Sequence, residues 1–212
     1  MRSDALKYGA LTFVIGMVAA TSVAGAETHP ASPKGFKTGI EWGIDAAFYS
    51  NHYYNFITES GYAIRGRHNS SMFIPNGTLS LSAVYDFGNG GRLSLLAGYC
   101  GLADKYRVIP VTLRGAWFSP VTRYAGWTAF TEAGMTVRDD FKTRPDPVIS
   151  AGFGWRVSVS ADADLEFMVR YRCALRQPPL KDPEYNTTVD QQNIRHNVQI
   201  LHTLGFVMGL CF

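Results

Sequence analysis

Val148-Ile149-Ser150-Ala151-Gly152-Phe153-Gly154-Trp155-Arg156-Val157-Ser158-Val159-Ser160 decides the fold. Ile149, Ala151, Phe153, Trp155, Val157 and Val159 fall on one parity, and Ser150, Gly152, Gly154, Arg156 and Ser158 on the other. A period of two is that of an extended strand, whose side chains point alternately to its two faces; a helix cannot sort residues this way. One face is therefore oily, and the other carries small residues and a charge.

The same rhythm runs outward from this stretch. Beyond the link Ala161-Asp162-Ala163-Asp164, the segment Leu165 to Leu175 sets Leu165, Phe167, Val169 and Tyr171 against Glu166, Arg170 and Arg172. Upstream, Ala125 to Val137 sets Trp127, Ala129, Ala133 and Met135 against Thr128, Glu132 and Thr136. Arg107 to Phe118 opposes Ile109, Val111, Leu113 and Trp117 to Thr112 and Arg114. Arg92 to Gly101 and Phe73 to Phe87 alternate likewise, joined by Gly88-Asn89-Gly90-Gly91, residues that tolerate the positive φ of a tight hairpin. Lys37 to Ser50 places Ile40, Trp42, Ile44, Ala46 and Phe48 opposite Glu41, Gly43 and Asp45. Asn197 to Phe212 places Leu204, Phe206, Met208, Leu210 and Phe212 opposite Gln199, Thr203, Gly205 and Gly209.

These eight predicted strands make an even set, which closes into a barrel without a free edge. The connectors at 88–91, 119–124 and 161–164 are short, while those at 51–72, 138–147 and 176–196 are long; the short link at 102–106 breaks the alternation. Short turns at one end and long loops at the other are the pattern of an all-β, eight-stranded antiparallel transmembrane up-and-down β-barrel.

Face polarity separates this from a soluble ligand carrier. An eight-stranded lumen is too narrow for so many Trp, Phe, Leu and Ile side chains, but it accepts Gly, Ser, Thr and paired charges. The oily face is therefore predicted to point outward into lipid. Phe87, Trp117, Trp127 and Phe212 lie near the short-turn ends, and Phe48, Tyr99 and Tyr171 near the long-loop ends, as two interfacial girdles would. The inward set holds five acids, Glu41, Asp45, Asp86, Glu132 and Glu166, and five arginines, Arg92, Arg114, Arg156, Arg170 and Arg172. Enclosed charges are costly unless paired, so a mutually neutralising network is predicted, with Arg114 near Glu132 and Arg156 near Glu166.

Composition is consistent with this. The chain has 212 residues and a mean hydropathy of -0.05, and it lacks the long apolar runs of a helical membrane protein. Aromatics at 13% argue against disorder, and a formal net charge of +3 gives no electrostatic case for nucleic acid. Arg2 and Lys7 precede an apolar run from Tyr8 to Ala20 and the triplet Ala24-Gly25-Ala26, the order of a cleaved secretory signal. Residues 1–26 are thus read as a signal peptide and 27–212 as the barrel domain. Cys100, Cys173 and Cys211 are odd in number for an exported chain and lack metal-ligand spacing, so they are read as core or wall residues.

A last strand ending in Phe212, with Phe206, Met208 and Leu210 at alternate positions before it, resembles the C-terminal signal that outer-membrane barrels present to their assembly machinery. Ile109-Pro110-Val111-Thr112-Leu113 resembles a strand of small porin-like outer-membrane proteins of the Bacteroidetes type. The resemblance is to the OmpA/OmpX-like eight-stranded class. It implies residence in the bacterial outer membrane, contact with lipid and lipopolysaccharide, and no cofactor; Cys211 beside the terminal Phe departs from the pattern. The expected function is non-enzymatic: an anchor whose loops 51–72 and 176–196 serve envelope integrity or contact a host or cell-surface ligand. A narrow small-solute channel is the alternative. His68-Asn69-Ser70 has the His-x-Ser spacing of lipid A deacylases, with Glu59 the nearest upstream carboxylate, but those enzymes carry the motif on a lipid-facing strand and here it falls in a predicted loop.

Overall fold

The protein is described by a computed structural model covering residues 34–103, 106–122, 124–138, 145–160 and 162–212. The predicted signal segment, residues 1–26, lies outside these. The described residues form eight strands: β1 (Gly35–Ile57), β2 (Ala63–Asp86), β3 (Gly91–Ala103), β4 (Tyr106–Pro120), β5 (Ala125–Arg138), β6 (Asp146–Ser158), β7 (Asp164–Arg176) and β8 (Ile194–Cys211). Each pairs antiparallel with its neighbour in sequence, and β8 pairs with β1 to close the barrel. At that seam the amide and carbonyl of Thr38 exchange hydrogen bonds of 2.8 Å with those of Phe212, so the C-terminal residue is tied into the ring.

Alternation governs which side chains are covered. Ile44, Leu81, Leu95, Leu113, Trp127, Phe153, Leu204 and Phe206 are all more than half exposed on the outer wall, while Asp45, Arg114, Glu132, Arg156 and Arg170 on the opposite parity are at most 4% exposed. The polarity is inverted relative to a water-soluble barrel. Trp127 stacks edge-on against Trp155 near the short-turn end, where Phe36, Tyr85 and Phe87 also touch ring to ring. At the other end Phe48, Tyr49, Tyr171 and His202 form a second aromatic group. The β2–β3 hairpin turns through Gly88 (φ 77°) and Gly90 (φ 86°), values that a side chain would strain. Asp86 steadies the turn by accepting from the Gly88 amide at 3.0 Å.

Several expected boundaries move. The predicted loop 51–72 is largely strand, because β1 continues to Ile57, β2 begins at Ala63, and only Thr58–Tyr62 turn between them. A bulge at Phe48 explains the discrepancy: against β8 the pairing goes from Ala47–Thr203 to Tyr49–His202 with Phe48 unmatched, so β1's facing parity changes and the alternation read from Ile40 stops there. Above the bulge the strands carry no oily outer face to betray them. The predicted loop 176–196 also gives up its ends, Arg176 to β7 and Ile194 onward to β8, leaving 177–193. Asp164, read as a link residue, opens β7 instead.

The wall is uneven as a result. β1 and β2 have 23 and 24 residues, against 13 to 15 for β3 through β7. On one side, β2, β1 and β8 rise beyond the barrel rim as a three-stranded flap.

Candidate functional site

The structure places Glu41, Asp45, Asp86, Glu132, Glu166, Arg92, Arg114, Arg156, Arg170 and Arg172 on the covered parity, with Glu166 the most accessible at 12% of its side chain. They sit in three tiers. Nearest the short turns, Arg92 reaches Asp86 at 3.1 Å, Asp164 at 2.7 Å and Glu166 at 2.9 Å. Glu166 also takes a 2.6 Å hydrogen bond from Arg156 Nε, and Lys37 lies 3.7 Å from Asp164. Asp164 and Lys37 are members that the alternation did not reveal. Asp164 stood next to a turn, and Lys37 opened the first predicted strand before its rhythm was established.

The middle tier centres on Arg114. It pairs with Glu41 and with Glu132, which directly opposes it on β5, and its guanidinium lies 4.4 Å from the centre of the Phe130 ring. Phe130 is an aromatic side chain inside a lumen expected to hold only small and charged groups. Gly152 makes this feasible, since a β-carbon there would run into the ring. In the third tier Asp45 accepts from Arg170 at 2.8 Å and from Arg172 at 2.8 Å. Gly205 of β8 lies between Asp45 and Arg170 in the register, and without a side chain it lets the two meet across an intervening strand. Arg172 also donates to Cys100 Sγ at 3.5 Å. Cys100 and Cys211 face inward and Cys173 lies half-buried on the outer wall; all are free thiols.

Formal charge divides instructively among the tiers. Arg92, Arg156 and Lys37 balance Asp86, Asp164 and Glu166; the middle tier is one negative, and the third is one positive. The two unbalanced tiers are adjacent, so they neutralise each other. Some donors stay unmatched by protein, among them Nε of Arg92, Arg170 and Arg172. Between the first and second tiers lies a cavity of about 20 Å³ lined by Glu41, Arg92, Arg114 and Glu166, room for about one water.

Above the charges the lumen turns apolar. Ala47, Cys100, Leu102, Val108, Val148, Ala174 and Leu201, backed by Met72 and Ile74, pack as a buried plug. Higher still, segment 177–193 folds against the flap. Leu180 and Val189 bury Phe56, Glu59 N–H donates to Asp182 at 3.0 Å, Ser60 donates to Glu184 at 2.7 Å, and Thr187 donates to Glu59 at 3.1 Å.

That last contact bears on the His-x-Ser motif. His68-Asn69-Ser70 lies on strand β2, not in a loop, and His68 and Ser70 pair with His52 and Ser50 on the parity that faces the inside of the flap. Glu59 sits in the hairpin turn engaged with Thr187. No group of three metal-ligating side chains forms among the described residues.

No protein-family model matches the chain, and no curated protein matches it in sequence. Among solved structures, the outer membrane protein OprG from Pseudomonas aeruginosa is similar in fold, with 12% identity and a TM-score of 0.50, over 84% of this chain and 97% of that one. Neisserial surface protein A aligns over 82% of this chain and 98% of its own, at 11% identity and a TM-score of 0.41.

Proposed function

We propose that this chain is a bacterial outer-membrane barrel, exported by residues 1–26, that conducts no solute and acts as an anchor for the surface built by its hairpin and segment 177–193. The observation that carries the reading is the inversion of faces. Large apolar side chains are exposed all around the wall, and the charges are paired inside it. In water such a wall would aggregate, whereas in a bilayer it is the face that lipid requires. The solved OprG barrel supports the architecture. The finer OmpX-like reading rests on the last strand, where Phe206, Met208, Leu210 and Phe212 would be the signal for the assembly machinery.

The non-conducting part of the reading rests on two barriers in series. The tiers of ion pairs fill the lower lumen, with a space of about one water beside Glu41, Arg92, Arg114 and Glu166, and beyond them seven buried apolar side chains pack across it. A catalytic role finds no support at His68, whose candidate acid is engaged elsewhere. Segment 177–193 and the hairpin turn hold each other through named contacts, which suits recognition of a host or cell-surface ligand by a preformed surface. Planar-bilayer recording of the refolded chain tests the sealed lumen. No stable conductance step is expected; a reproducible step of porin size would instead support the channel reading.

A further inference from the structure

The flap's outer face is graded by height. Its rows follow from the register across β2, β1 and β8: Ser71–Tyr49–His202 lowest, then Asn69–Asn51–Ile200, then Arg67–Tyr53–Val198, then Arg65–Asn55–His196. Just below the first row the exposed residues are Phe73, Phe48 and Leu204. Within four rows the wall passes from apolar, through an aromatic and amide zone, to basic. Arg65, Arg67, Arg195 and His196 are all exposed, and segments 46–58, 62–75 and 191–206 contain no Asp or Glu. Beside the flap, the acids Glu59, Asp182, Glu184 and Asp190 lie in the hairpin turn and segment 177–193.

A basic band directly continuous with an apolar wall meets the layer where a bilayer's headgroups begin. Rows are spaced by two residues, about 7 Å, and neighbouring strands by about 4.8 Å. Arg65 and Arg67 therefore stand about 7 Å apart at their backbones, within reach of one phosphate for two long side chains, with His196 about 10 Å across the flap. Arg67 lies over the Tyr53 ring at 4.8 Å and donates to Asn69 at 3.3 Å, which holds its guanidinium on the outer face. A planar guanidinium suits bidentate capture of a phosphate, and cations near an anionic lipid surface are drawn to it.

The geometry points to this band, Arg65 and Arg67 with His196 and Arg195, as a binding site for the phosphate groups of lipid in the outer leaflet, such as a phosphorylated glycolipid. The inference rests on the membrane reading and adds a lipid class and an address to it. The full chain is refolded into phosphatidylcholine vesicles containing either diphosphorylated lipid A or the same lipid with its phosphates removed. Native mass spectrometry then counts the lipid A retained, and heat-modifiable gel migration reports insertion.

At least tenfold greater retention of the phosphorylated form is expected, falling to near parity in R65A/R67A and unchanged in E59Q/E184Q. Millimolar inorganic phosphate should leave the preference in place, since the apolar wall adds acyl-chain contact that a free ion lacks. Insertion with equal retention of both lipids, a preference undiminished in R65A/R67A, or a preference abolished by free phosphate overturns the inference while leaving the membrane reading intact. A chain that fails to insert in either vesicle overturns both.

Discussion

The barrel and the flap are built partly from the same strands, yet their faces are opposite. Along β1 below the bulge, Trp42, Ile44 and Phe48 point out, and Glu41 and Asp45 point in. Above it, Asn51, Tyr53 and Asn55 point out, while Phe56 points in and is covered by Leu180 and Val189. The pivot is Phe48, which has no counterpart on β8, where Ala47 pairs with Thr203 and Tyr49 with His202. Strand geometry supplies two faces everywhere, and the medium outside each segment decides which face is the oily one. Below Phe48 that medium is read as lipid; above it, as headgroup and water.

The largest expected difference between the two regions lies in their interiors. Arg114→Met strands Glu41 and Glu132 in a buried site, and a cost of about 3–5 kcal/mol is expected, measured as the urea midpoint of the heat-modifiable band in vesicles. Adding E41Q and E132Q should recover most of it, because matched neutral groups leave no uncompensated charge. Full stability in R114M alone would mean that the tiers are not coupled as their geometry implies.

The outer faces give the next contrast. Ile44→Lys places a charge in the apolar band and should cost about 2–4 kcal/mol, whereas Ser71→Lys on the flap's exposed face should fall within about 0.5 kcal/mol. Equal costs at the two positions would erase the boundary at Phe48.

A local effect comes last. Phe56→Ala removes the side chain that Leu180 and Val189 bury, so protease cleavage within 177–193 should accelerate severalfold while the barrel's own urea midpoint stays put. A midpoint that falls together with the loop's protection would make flap and barrel one cooperative unit.

Legibility in the sequence follows the same boundary. Below Phe48 the strands could be read because lipid demands an uninterrupted apolar parity, and Val148 to Ser160 displays it plainly. Arg114 and Arg156 could be assigned partners because they stand directly opposite Glu132 and Glu166 on neighbouring strands. Asp45 with Arg170 was not legible, since β8 lies between them and only Gly205 allows the contact. Phe130 was also hidden: an aromatic of lumenal parity fits only because Gly152 faces it. In the flap both parities mix polar and apolar side chains, Asn51, Tyr53, Arg67 and Val198 on the outer one and Ser50, His52, Tyr54 and Leu201 on the inner, so the period of two survives in the backbone and vanishes from the hydropathy.

The central claim, that the outward face of β1 changes medium at Phe48, can be measured directly. Cys100, Cys173 and Cys211 are replaced by Ala, and single cysteines at 40, 42, 44, 48, 49, 51, 53 and 55 are spin-labelled in the vesicle-reconstituted chain. Collision rates with oxygen, which concentrates in lipid, and with a water-soluble nickel chelate are then compared. Oxygen should dominate at 40, 42, 44 and 48, and the chelate should take over across 49 to 55. Dominance of the chelate at 42 and 44, or of oxygen at 53 and 55, would contradict the account.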